Sequence, residues 1–182
     1  MIKTAIPVVG VWALVTYIEP LNNFIIQGNT NKYWDFVQFY ILLAPLGTVI
    51  GHCWPMFSSF KGGKAVSAMC GFAITTCWGL IVAGITTFYA TLKAKKYVSL
   101  ASILTAIIGI IFVWVFAILK YTVSLPSEIG FDILMWGNGN FIKIGFEYAT
   151  IFSLIAIILI LRHISNIKRL VDGNERKITW LK

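Results

Sequence analysis

Only two histidines occur in the chain, His52 and His163, and each lies in a polar cluster at the end of an apolar run. The first cluster reads Gly51-His52-Cys53-Trp54-Pro55-Met56-Phe57-Ser58-Ser59-Phe60-Lys61-Gly62-Gly63-Lys64. Gly62 and Gly63 can expose backbone N–H groups in a turn, and Lys64 opens a long apolar run. Amides, a helix N-terminus and two ammonium groups can therefore converge on one anion, and such a cradle suits a phosphate. It is not a Walker A loop: Ser58 stands where the first glycine belongs, and Ala65 replaces the Ser/Thr that would hold Mg²⁺. The alternative reading is a flexible loop with snorkelling lysines.

The second cluster runs from Arg162 and His163 through Asn166, Lys168 and Arg169 to Asp172, Gly173 and Glu175. Read as a helix, Ile164, Ile167 and Val171 form an i, i+3, i+7 apolar stripe, while His163 and Asn166 are i,i+3 neighbours beside the cations. Gly173 is placed to end it. A basic amphipathic helix after a span is either a lipid-surface anchor or part of a site, and both readings stay open. Neither histidine begins an H-x-x-x-x-D motif, because Phe57 and Lys168 occupy the decisive positions. Two histidines without a carboxylate cluster make a poor metal shell, and no cofactor is expected.

These clusters must be held by membrane helices. Of 182 residues 58% are hydrophobic and 12% charged, about half the charge of a soluble domain. The run from Ala65 to Leu92 contains no Asp, Glu, Lys, Arg or His, nor does that from Tyr97 to Leu119. Each is long enough to cross an apolar core of about 30 Å. With Thr4 to Ile18, Phe36 to Ile50 and Tyr148 to Leu161, five apolar segments can be marked. Continuing the last back to Ile142 would make Lys143 and Glu147 an i,i+4 pair. The reading is an all-α, polytopic helical integral membrane protein with five or six membrane segments, forming one domain over residues 1–182. The formal charge of +8 points to anionic lipid or a phosphorylated substrate rather than nucleic acid, since most basic groups flank apolar segments. Cys53, Cys70 and Cys77 read as small apolar fillers.

Loop charges bring a conflict. Lys61 and Lys64 make the second loop cytoplasmic, and the basic tail from Arg162 onward should be cytoplasmic too. Only three marked segments separate them, which puts them on opposite faces, and Lys93, Lys95 and Lys96 fall in what should be an outer loop. An extra re-entrant element between Lys120 and Lys143, around Ile129 to Trp136, is the simplest repair.

The two clusters resemble motifs of the bacterial acyl-phosphate:glycerol-3-phosphate acyltransferases called PlsY. Gly51 to Lys64 is similar to the family's G-H-x-x-P, short spacer, F-K/R-G-G-K-G motif. His163, Asn166, Ile167, Arg169, Leu170, Gly173 and Glu175 follow its H-R-x-N-I-x-R-L and G-x-E pattern, and the segment Tyr97 to Leu104 resembles the family's at the same relative place. Ala65 replaces a usual glycine, and Ile164 an arginine. The family's first motif, of G-S-G-N-x-G-x-T-N type, has only a faint echo in Gly28-Asn29-Thr30-Asn31. Met1-Ile2-Lys3 and the apolar run after it resemble the family's second span, so the resemblance implies a chain lacking the first helix and first motif.

The resemblance further implies transfer of a fatty acyl group from acyl phosphate to glycerol 3-phosphate, giving lysophosphatidate, at the cytoplasmic face of a bacterial cell membrane. Membrane lipid would be the other partner. Gly62, Gly63 and Lys64 would hold one phosphate, and Arg169, with Lys168 assisting, another. His163, oriented by Asn166, and His52 would orient substrate; His163 or a donor phosphate oxygen would take the hydroxyl proton. Glu175 belongs to the motif without an assigned role. Rival readings are a catalytically impaired member that keeps only binding motifs, and a transporter-like subunit, against which stands the lack of a charge near the centre of a long span.

Overall fold

The computed structural model describes residues 6–11, 13, 30–123, 134–136 and 142–179, for 30–40 the backbone alone. The described residues are helical but for turns and one isolated antiparallel bridge, Cys77 with Met135. After a helical stretch over 6–11 come α1 (Thr30–Cys53), a 3₁₀ turn (Met56–Ser58), α2 (Val66–Thr76), α3 (Trp78–Lys95), α4 (Val98–Thr122), α5 (Phe146–Arg162) and α6 (Ile164–Val171).

Among the described residues two helical windows are long and apolar enough to cross a membrane, Ile41–Ser58 and Val98–Thr122. A third is added if α5 and α6, bent by 54° at His163, count as one span. This corrects the five or six expected from apolar runs. The Ala65 to Leu92 run is broken at Cys77 into legs of 11 and 18 residues, and the second ends with Lys93 and Lys95 in its last turn. Most of the Thr4 to Ile18 segment, Gly28-Asn29 and most of Ile129 to Trp136 lie outside the described residues. Lys143 precedes α5, whose N-cap is Gly145, so the helix does not continue back to Ile142.

The break at Cys77 resolves the charge conflict. Cys77 is extended (φ −142°, ψ 104°), its Sγ donates to the Leu134 carbonyl at 3.2 Å, and Trp136 Nε1 donates to Ile74 O at 2.6 Å. The chain turns back at this tip. At its start Lys64 bonds Asn166; at its end the Lys96 carbonyl accepts from Ile178 N at 2.9 Å and Ser99 bonds Glu175. Both ends of the longest apolar run thus lie at one end of the bundle. Loop, tail and the Lys93–Lys96 linker lie at one end of the bundle, and a hairpin satisfies the parity; of the element expected around Ile129 to Trp136, only 134–136 are described, and they bond the hairpin tip.

α4 packs against α3 and α5, and α1 against α5 and α2. In lipid no hydrophobic force draws helices together, so close backbone approach and hydrogen bonds carry the association. α4 buries Ser99, Ala101, Ser102, Ala106, Gly109 and Ala117, and α5 buries Tyr148, Phe152, Ile155 and Leu159 at i, i+4, i+7, i+11 spacing. Phe72 meets the Tyr148 and Phe152 rings at 5.3 and 6.3 Å, Tyr148 and Thr76 share a 2.7 Å hydrogen bond, and Trp114 Nε1 donates to Ser153 Oγ at 3.0 Å. This core fixes where α1, α3 and α5 end and where α2 and α4 begin.

Candidate active site at the shared end of the bundle

The two clusters, more than a hundred residues apart, meet here. Lys64 Nζ donates to Asn166 Oδ1 at 2.7 Å, and Asn166 Nδ2 donates to Glu175 Oε1 at 2.8 Å. The same carboxylate accepts from Ser99 Oγ at 2.6 Å and from Arg169 Nε at 2.8 Å. Burial pushes the Glu175 carboxyl up, but three hydrogen bonds and the Arg169 charge outweigh it and hold the group at about 2. Its folded value lies below its ordinary one, so the stabilisation is complete above about pH 4.5 and is lost as pH falls toward 2. The protection of residues 164–178 against hydrogen exchange, taken relative to the intrinsic rate at each pH, should therefore stay flat from neutrality to about pH 5 and fall below it. Glu175→Gln should remove that acid step.

A short loop carries the Lys64 side. Gly63 N donates to His52 O at 3.0 Å, while Arg162 donates from Nη2 to Gly62 O at 2.8 Å and from Nε to Gly63 O at 3.1 Å. The Arg162 guanidinium also lies over the Trp54 ring, 5.6 Å from its centroid. The Gly63 N–H is taken by its bond to the His52 carbonyl. The glycines serve close packing. A Cβ at Gly62 would run into the His52 and Cys53 carbonyls and the Pro55 ring, and one at Gly63 into the His52 imidazole. The positive groups available to an anion are Lys64 and the N-terminus of α2, one residue beyond Ala65.

Ala65 is fully buried and sits at φ +63°, a left-handed conformation that costs an L-residue about 1–2 kcal/mol. A glycine is at ease there, which gives a physical reason for the residue usual in the similar motif. Ala65→Gly should raise thermal stability by about 1 kcal/mol without loss of substrate affinity. Unchanged or lowered melting would show that methyl packing outweighs the strain.

His163 is buried where α5 gives way to α6, its Nδ1 2.8 Å from the Leu159 carbonyl. A carbonyl only accepts, so Nδ1 carries the proton and the Nε2 lone pair is left for chemistry. Leu159, rather than Asn166, orients the ring. Asn166 is buried on α6 while Ile164 and Val171 are exposed. That short helix turns Asn166 to the site, while of its apolar stripe Ile164 and Val171 are exposed and Ile167 is half-buried. Gly173 (φ +72°) ends it, with Asn174 N donating to Arg169 O at 2.8 Å in a Schellman turn.

Among the candidates, Lys64, Asn166, Arg169 and Glu175 form one connected network, Gly62 and Gly63 pack under His52, and His163 abuts the network at the α5–α6 bend. Lys168 is exposed, and its ammonium has no hydrogen bond or ion pair to a described residue. Two participants had no role in the sequence reading. Ser99 lay inside an apolar run, and Arg162 was read as a flanking tail charge.

An apolar cavity of about 450 Å³ lies among α2, α3, α4 and α5, with Val66 and Ser102 as the lining residues nearest in sequence to Lys64 and Ser99. Val66, Met69, Cys70, Ala73 and Ile74 of α2 line one wall, and Leu80 to Tyr89 of α3 the opposite one. Ser102, Thr105 and Gly109 of α4 and Phe152 of α5 complete it.

Residues 1–173 match the family model described as glycerol-3-phosphate acyltransferase. The chain belongs to this family. A glycerol-3-phosphate acyltransferase of Chlorobium luteolum is 40% identical over 143 residues, covering 76% of this chain and 59% of that protein. The Mycoplasmopsis agalactiae protein of the same description is 27% identical over 179 residues, 97% of this chain and 69% of that one. The chain thus spans about three fifths of the length of its Chlorobium relative. Its fold is similar to crystal structures of PlsY (YgiH), an integral membrane glycerol 3-phosphate acyltransferase. The lysophosphatidic acid form gives a TM-score of 0.63 at 22% identity, covering 98% of this chain and 69% of that one. The glycerol 3-phosphate form gives 0.59 at 20% identity, covering 98% and 68%.

Proposed function

We propose that this chain transfers a fatty acyl group from an acyl phosphate to glycerol 3-phosphate at the cytoplasmic face of a bacterial membrane. The observation that carries this reading is the convergence of Lys64, His163, Asn166, Arg169 and Glu175 at one end of the bundle, beside the start of helices that line an apolar cavity. An anionic head and a single long chain fit that arrangement together, as in an acyl phosphate and in lysophosphatidate. Family membership supports the same reaction.

An acyl phosphate is already activated, so the protein has chiefly to neutralise phosphate charge and align the reacting atoms. Lys64 and the α2 N-terminus face the donor phosphate. Arg169, held by Glu175, and the nearby exposed Lys168 receive the acceptor phosphate. The acceptor hydroxyl oxygen attacks the carbonyl carbon and forms the ester bond. The carbonyl carbon–oxygen bond to phosphate breaks, phosphate leaves with the electron pair, and His163 Nε2 takes the hydroxyl proton. Asn166 positions the Lys64 ammonium, and His52 packs on the glycine pair that aims it.

The test is the reaction with the chain in lipid vesicles. Phosphate release from palmitoyl phosphate should depend on glycerol 3-phosphate, yield lysophosphatidate, and fall about 100-fold or more in His163→Ala. Release unaffected by the acceptor, with no lysophosphatidate formed, would contradict the proposal.

A further inference from the structure

Lys64 and His163 come from separate parts of the chain, and acyl transfer needs them in one register. Their tips are placed by Lys64 Nζ on Asn166 Oδ1 at 2.7 Å and by His163 Nδ1 against the Leu159 carbonyl at 2.8 Å. A lysine ammonium stands on a flexible four-carbon stem, so holding its tip does not hold its root. The root is the backbone at Gly62 and Gly63, where no side chain offers a grip.

One side chain joins that backbone to the base. Arg162 is the last residue of α5 and the neighbour of His163 at the 54° bend. A cation at a helix C-terminus is ordinarily explained by the helix dipole or by the membrane surface. Here the guanidinium turns to the loop: Nη2 donates to Gly62 O at 2.8 Å and Nε to Gly63 O at 3.1 Å, so one edge of the fork holds two successive carbonyls. Its flat face lies over Trp54, 5.6 Å from the ring centroid, which resists rotation of that plane. Trp54 directly follows α1, whose His52 carbonyl accepts from Gly63 N at 3.0 Å. The root of Lys64 is thus held from two sides, by the end of α1 and by the residue before His163. An ammonium could not replace this grip, since it has neither two parallel N–H groups nor a flat face.

We propose that Arg162 is a positioning residue for the transfer: it ties the backbone that carries Lys64 to the residue before His163, and so sets the phosphate-facing ammonium against the proton-accepting imidazole. It acts through Lys64, because the N–H groups of its inner edge are occupied by carbonyls. The inference rests on the acyl-transfer reading for the roles of Lys64 and His163.

The test is Arg162→Lys, alone and combined with Lys64→Ala, in the full chain in lipid vesicles. Misplacing a reacting group by about 1 Å can cost about 100-fold, so Arg162→Lys should lower kcat about 30-fold and leave KM for glycerol 3-phosphate within about threefold. In the Lys64→Ala background the same substitution should cost less than about threefold, because no ammonium is left to aim. Trp54→Leu keeps the guanidinium but removes the face beneath it, and should lower kcat about fivefold with the same dependence on Lys64. Losses that multiply in the double variants would make Arg162 a stabilising residue only, and a KM raised about tenfold at unchanged kcat would make it a phosphate ligand. Either result would overturn the proposal. Hydrogen exchange decides without turnover: Arg162→Lys should speed exchange of the Gly63 amide about tenfold or more relative to the α4 amides. A wild-type chain without acceptor-dependent turnover counts against the acyl-transfer reading, whereas an unchanged Gly63 exchange rate counts against Arg162 as the tie.

Discussion

Replacing Lys64 by alanine should lower acceptor-dependent turnover by about 100-fold or more while leaving the helices assembled. The residue stands two positions before Val66, which lines the apolar cavity, and its ammonium is aimed by Asn166 Oδ1 at 2.7 Å. Asn166 is in turn held by Glu175, which Ser99 and Arg169 also grip. The ammonium is thus positioned before substrate arrives, which is what electrostatic stabilisation of a departing phosphate requires. Little of the fold depends on it, because Asn166 keeps its bond to Glu175. Steady-state kinetics on vesicles, with circular dichroism of the same samples, checks both halves; activity within about threefold of wild type would remove Lys64 from the account.

The second large effect is a contrast between adjacent glycines. Gly62→Ala should destabilise the loop by roughly 2–4 kcal/mol and abolish measurable turnover, because the new Cβ meets two backbone carbonyls and a proline ring. None of these can move without shifting the end of α1. Gly63→Ala meets the His52 imidazole instead, a side chain able to rotate away. It should cost about 1–2 kcal/mol, leave some activity, and raise KM more than it lowers kcat. Thermal unfolding with kinetics on both variants checks the order. The reverse order would mean that the His52 ring, rather than the backbone approach, is the fixed part of the loop.

Sequence alone brought out both clusters because chemistry-bearing residues are scarce in an apolar chain. Lys64, Asn166, Arg169 and Glu175 could be picked out before any fold was known. Their junction could not, since it depends on the turn at Cys77. Thr76-Cys77-Trp78 holds no glycine or proline to mark a break, and the tip is secured by Leu134–Trp136, far along the chain. Its trace in the sequence was the charge parity, which placed Lys93–Lys96 on an improbable face. Ser99 was hidden because a serine in an apolar run, like Ser102 three residues on, looks like a small filler. Arg162 was hidden because its partners are carbonyls of glycines whose side chains give no sign of them. Lys168 was chosen for charge alone, and its position on α6 leaves it exposed.

The central claim is that the Ala65–Lys96 stretch turns back, so that all the site residues reach one face. Single cysteines placed at 61, 96 and 168 in a background without Cys53, Cys70 and Cys77, then labelled in sealed, oriented vesicles with an impermeant maleimide, test it directly. The account predicts that Lys61→Cys, Lys96→Cys and Lys168→Cys are all modified from the same side. Modification of Lys96→Cys from the side opposite to Lys61→Cys would make that stretch a single crossing and contradict the account.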